Sequence, residues 1–187
     1  MGASLSWLVC DVKHKEEFEK LLSATECKQG ESPSFCINLT PQDKMFIFEA
    51  RGRRWNFDTL SERERLSLGK EVYYGVYEEH VMFSEGSFWR NGTEIWKVTH
   101  DSDKGVFHLK AQGDIPEGFI EIKNSLIQKQ NESGGEDADV DHIIGIPTAL
   151  MAKFTGCDCS RNEPNGEYFE WVSKKPCGFL SKIFGWK

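Results

Sequence analysis

The sequence predicts an α+β fold, an antiparallel β-sheet meander with helices packed mainly on one face. Three observations carry this. Residues 71–111 are rich in β-branched and aromatic side chains that alternate along the chain, as in Val72, Tyr74 and Val76. Asn91-Gly92 stands between Phe88-Trp89-Arg90 and Thr93-Glu94-Ile95-Trp96, and Asn-Gly accepts the two positive φ angles of a type I′ turn. Segments with apolar residues along one helical face flank this block on both sides.

Element by element, Leu5–Cys10 reads as a strand that Asp11 ends. Residues 13–24 place Phe18, Leu21 and Leu22 on one helical face, with Lys and Glu on the other. Two short strands follow, Ser34–Leu39 and Lys44–Ala50, split by Thr40-Pro41-Gln42-Asp43. Asp58-Thr59 offers an N-cap, and Glu62 completes a capping box with Thr59. The short helix runs to about Leu68, and Gly69 stops it. A two-residue turn at Asn91-Gly92 sets Arg90 against Thr93 and Trp89 against Glu94, which makes Trp89 and Trp96 diagonal neighbours on one face. A reversal at residues 101–105 leads into a strand over Val106–Ala111. Pro116 then opens a helix lined by Phe119, Ile122 and Leu126. An acidic, exposed loop spans 131–141, and Pro147 opens a helix that Gly156 closes. Glu167–Ser173 reads as a last strand.

The chain has 187 residues and shows no internal repeat or composition shift. It is read as a single domain over 1–187, since domains run to about 100–200 residues. A hydrophobic fraction of 39% and a charged fraction of 28% argue against wholesale disorder. The net charge of −7 excludes nucleic acid as a partner, because binding a phosphate backbone relies on Lys and Arg displacing counterions. The short basic run Arg51-Gly52-Arg53-Arg54 does not overturn this. Solubility and a basic protein partner both fit the charge. With no export signal or transmembrane run, a cytoplasmic location is expected, and the six cysteines read as reduced thiols rather than disulfides.

Few residues offer chemistry. His100 and His108, with Asp101 nearby, fall on one sheet face if residue 100 pairs with 106 and 98 with 108. They would then share a ligand or move a proton. Read plainly, they are half-buried strand residues beside a turn that Asp101 starts. Trp89 and Trp96 are candidate binding residues as an aromatic pair. Cys157, Cys159 and Cys177 depart from the paired C-x2-4-C spacing of structural zinc. Asp137-x-Asp139-x-Asp141 begins like a calcium loop, but His142 and Thr148 stand where Gly and Glu are required. No cofactor is expected. Glu136, Asp137, Asp139 and Asp141 instead form a candidate acidic surface for a partner. The apolar tail 178–187, with interspersed lysines, is short and weakly cationic for a segment lying on a membrane surface, and reads equally as docking onto its own domain or a neighbouring subunit.

Glu78-Glu79-His80-Val81-Met82-Phe83-Ser84, Trp96–Asp101 and Gly105–Leu109 resemble segments of an uncharacterised family of bacterial cytoplasmic proteins. Ser6-Trp7 and residues 136–141 extend the resemblance over most of 1–150. It implies a bacterial, cytoplasmic origin and brings no activity, so it lends no functional residue. No catalytic motif is present, neither G-x-S-x-G, P-loop, G-x-G-x-x-G nor H-E-x-x-H. The acidic charge, the aromatic sheet and that absence point to a non-enzymatic protein–protein interaction protein. Its concrete form is an immunity-like protein that neutralises a toxin by binding it. The alternative is a small enzyme or ligand-binding protein with a pocket near His100 and His108.

Overall fold

A computed structural model describes residues 4–21, 24–26, 35–39, 43–49, 59–156 and 168–173. Arg51–Arg54, Cys27, Cys157, Cys159, Cys177 and the tail 178–187 lie outside the described residues. The fold is α+β, and its strands form one antiparallel sheet. They are β1 (Ser4–Asp11), β2 (Ala24–Glu26), β3 (Phe35–Leu39), β4 (Lys44–Glu49), β5 (Glu71–Glu78), β6 (Phe83–Arg90), β7 (Thr93–Asp101), β8 (Lys110–Gly113) and β9 (Tyr168–Ser173). Their order across the sheet is β2-β9-β3-β4-β1-β5-β6-β7-β8. The helices are α1 (Lys15–Leu21), α2 (Leu60–Ser67), α3 (Phe119–Glu132) and α4 (Gly145–Thr155).

The strand β1 lies at the middle of the sheet, paired with β4 on one side and β5 on the other. Its residues Trp7, Leu8, Val9 and Cys10 are all buried. An unbroken buried run requires cover on both faces of the sheet. The longer helices α3 and α4 supply it on one face, where Trp7, Val9, Phe46, Phe88, Trp96 and Val98 meet Phe119, Ile146, Leu150 and Met151. Gly86 makes the close approach of α4 feasible. A Cβ there would stand 2.9 Å from both Met151 Cγ and the Pro147 carbonyl oxygen. Tyr73 stacks on Phe88 at 4.6 Å and faces Phe154 of α4 at 6.5 Å. On the opposite face α2 packs over β5 and β6, where the Tyr74 hydroxyl donates to the Arg63 carbonyl and Arg63 pairs with Glu85.

The capped helix is α2, whose N-cap Thr59 accepts from the Glu62 N–H at 3.3 Å. Asn91 (φ 48°) and Gly92 (φ 79°) make the expected turn, with Arg90 opposite Thr93 and Trp89 opposite Glu94. The register then shifts. Phe88 faces Trp96, so Ile95 is an extra residue on β7 and forms a β-bulge. That one residue reverses every later side chain. Trp96 joins Phe88 under α4, whereas Trp89 lies on the α2 face edge-on to Tyr74 at 6.4 Å. The expectation that Trp89 and Trp96 share a face is therefore corrected.

Three further boundaries and one register differ. The strand expected over Val106–Ala111 is β8 at Lys110–Gly113, because residues 102–109 form a longer connection through a 3-10 turn at Ser102–Lys104. Thr99 accordingly faces Lys110 and Val98 faces Ala111, a register offset by three from pairing 98 with 108. Pro116 begins a turn rather than a helix, since Gly118 (φ 88°) precedes α3 and breaks the helical run. At the other end of the chain, Ala24 belongs to β2 rather than to the helix read over 13–24.

Candidate functional site

At the end of β7, His100 projects onto the face that α4 covers and is completely buried. Its cross-strand partner on β6 is Ser84, equally buried. A polar pair in such a place is unfavourable unless every donor and acceptor is matched. Ser84 and one nitrogen of His100 are matched from the connection between α3 and α4, and the other nitrogen from the β7–β8 connection. The Ser84 hydroxyl donates to the Ile144 carbonyl at 2.7 Å. His100 Nε2 meets Asp141 Oδ2 at 2.8 Å, and its Nδ1 meets the His108 carbonyl oxygen, also at 2.8 Å.

Asp141 is thus not an exposed member of the acidic loop, and that part of the expected acidic surface is corrected. Its side chain is 9% exposed. Its Oδ1 accepts the backbone N–H groups of Ile143 and Ile144, at 2.8 and 3.1 Å, just before α4. Burial alone would raise the carboxyl's pKa. The hydrogen bond from His100, its charge and the two backbone donors outweigh burial and hold it below the usual carboxylate value. The neighbouring acids remain outside. Glu136, Asp137 and Asp139 are exposed, and no ion pair engages them among the described residues.

The remaining candidates separate. His100 and His108 do not present two imidazoles to a shared ligand, since His100 contacts the backbone of His108. The His108 Nδ1 is buried and has no hydrogen-bond partner among the described residues. Asp101 starts the turn and pairs with Lys104, whose hydrogen bond lowers its pKa. Trp89 and Trp96 are both buried, on opposite faces. Among the described residues no three His, Cys, Asp or Glu are grouped to hold a metal ion. Burial, followed by the charge of Asp11, pushes the free Cys10 thiol up to about 12, which makes it a poor nucleophile.

Three connections meet at this end of the sheet. The β7–β8 connection is stitched to the β5–β6 turn by the Ser102 N–H on the Met82 carbonyl and the Ser102 hydroxyl on the Val81 carbonyl. His100 stitches the same connection to the one between α3 and α4. Each connection exposes an apolar residue, Val81 at 57%, Phe107 at 37% and Val140 at 56%. At the opposite end lies an open cleft of about 350 Å³ lined by Asp11, Lys13, His14, Lys70, Glu71 and Arg90. Its charges satisfy one another or a near neighbour. Lys13 and Lys44 hold Asp11, Lys70 holds Glu17, and Arg90 holds Glu71.

The sequence exposed the acids but concealed their anchor. Ser84 carried no signal of its own. Asp141 did, because an Asp side chain readily accepts the backbone N–H two residues on and so favours a turn. No protein-family model matches the chain, and no curated protein or solved structure is significantly similar to it. No helix among the described residues is long and apolar enough to cross a membrane.

Proposed function

We propose that this chain is a non-catalytic interaction protein. It docks a basic protein partner at the end of the sheet where the β5–β6, β7–β8 and α3–α4 connections meet. An immunity-like role, in which binding blocks a toxin, is its concrete form, in the bacterial cytoplasm that the family resemblance implies. The observation that supports it is the combination at one end of exposed Val81, Phe107 and Val140 with the exposed acids Glu136, Asp137 and Asp139, which no ion pair engages among the described residues. Protein interfaces join apolar anchors to a polar rim, and complementary charge speeds encounter and selects the partner. The enzyme alternative draws less support. His100 has no surface and no uncommitted ring nitrogen, and the charges lining the open cleft are paired.

The test compares the tagged wild-type chain with the triple variant E136K/D137K/D139K in capture from a bacterial lysate, at low and high salt. Mass spectrometry and metal analysis are run on the same samples. A stoichiometric basic protein, lost on charge reversal and weakened by salt, is the expected result. Capture indifferent to charge reversal, or a metal-loaded chain without a partner, would overturn the reading.

A further inference from the structure

The two ring nitrogens of His100 reach different connections, and the chemistry of their partners fixes what they carry. The His108 carbonyl only accepts, so Nδ1 bears a hydrogen. Asp141 already accepts two backbone N–H groups on Oδ1, the pattern of an ionised carboxylate, so its Oδ2 also accepts and Nε2 bears a second hydrogen. The ring is buried against one carboxylate, with a hydrogen bond at each nitrogen. We infer that His100 is a latch coupling the β7–β8 connection to the α3–α4 connection, so that an event at either is felt at the other.

Sequence adjacency gives the latch its reach. Phe107 immediately precedes His108, whose carbonyl is one contact, and Val140 immediately precedes Asp141, the other. One buried side chain thereby spaces two exposed apolar residues. Ser84 is a built-in contrast. It grips the Ile144 carbonyl beside the same carboxylate and has no bond to the β7–β8 connection. The coupling stands on these contacts alone, while its consequence for docking rests on the proposed function.

Three variants and two readouts test it. D141A cuts one arm of the latch. Amide exchange over 105–109 should then rise about tenfold or more, although no hydrogen bond joins residue 141 to that segment, as loss of a buried hydrogen bond to a carboxylate implies. S84A should loosen 142–146 and leave 105–109 at the wild-type rate. D141N should keep both arms. Asn Oδ1 still accepts the two backbone N–H groups, and its amide donates to Nε2 of a neutral ring. Imidazole ¹⁵N spectra at neutral pH should therefore show both nitrogens protonated in wild type and a bare Nε2 in D141N. Unchanged exchange over 105–109 in D141A, or a bare Nε2 in wild type, overturns the latch. If D141A does not fold, the ring spectra of wild type and D141N still decide. A wild-type chain that captures no basic protein sinks the docking reading and leaves the latch standing. A D141A chain that captures as well as wild type severs the latch from docking.

Discussion

Asp141 is a carboxylate whose chemistry the fold displaces downward. In the folded state its carboxyl sits below the ordinary value of 3.8. A carboxyl depressed by folding contributes stability that is present above the unfolded value and is lost as pH falls through the folded one. Acid unfolding should therefore draw on this site only below about pH 4. The Asp141 ¹³Cγ resonance should stay at its ionised position past that point, and a titration midpoint above 3.8 would contradict the donors placed around it. At neutral pH, D141A should cost about 3 kcal/mol in urea unfolding, because it removes the acceptor that the buried His100 ring and the Ile143 and Ile144 N–H groups share. D141N should stay within about 1 kcal/mol of wild type, since it keeps the hydrogen bonds. Within the acidic run 136–141 the turn before α4 marks Asp141, but the burial of its carboxylate was not legible there. The distinction comes from His100, which is 41 residues away in sequence.

At the level of elements, local chemistry was a good guide wherever a contact spans only a few residues. Thr59 with Glu62, Asn91-Gly92, and Gly156 at the end of α4 are each where turn and cap preferences place them. The bulge at Ile95 is different, because nothing within Thr93–Trp96 announces it. It is favoured by the aromatic cluster of Tyr73, Phe88 and Trp96 beneath α4, which forms only once helix and sheet have met. Glycine positions report the same tertiary demand. Gly86 sits where α4 touches the sheet, with both a side chain and the helix backbone 2.9 Å from any added Cβ. G86A should displace α4 and destabilise by about 1–3 kcal/mol, the range for overpacking a filled core. Denaturant unfolding checks the magnitude. A neutral effect would mean that α4 can lift without loss, contrary to the burial of Pro147 and Met151.

For the molecule as a whole, the α+β class was legible from the periods of the sequence, and the β5–β8 meander from its turns. The position of β1 and the insertion of β9 were not. Both depend on pairings between segments far apart in sequence, and strand patterns carry no address for such partners. The strand order makes a distinct claim. Among the described strands, β9 is the sole sheet neighbour of β2 and one of two neighbours of β3. A chain truncated after residue 156 should therefore lose amide protection throughout β2, because its ladder has no other partner. The strand β3 should keep the protection it owes to β4 and lose the rest. The strands β5 to β8, which pair among themselves and with β1, should exchange at their full-length rates. Hydrogen exchange on the truncated and full-length chains reads all three regions in one experiment. Continued protection of β2 after truncation would require a different sheet order. Uniform loss across the meander would show that the C-terminal strand supports the whole core rather than one flank of it.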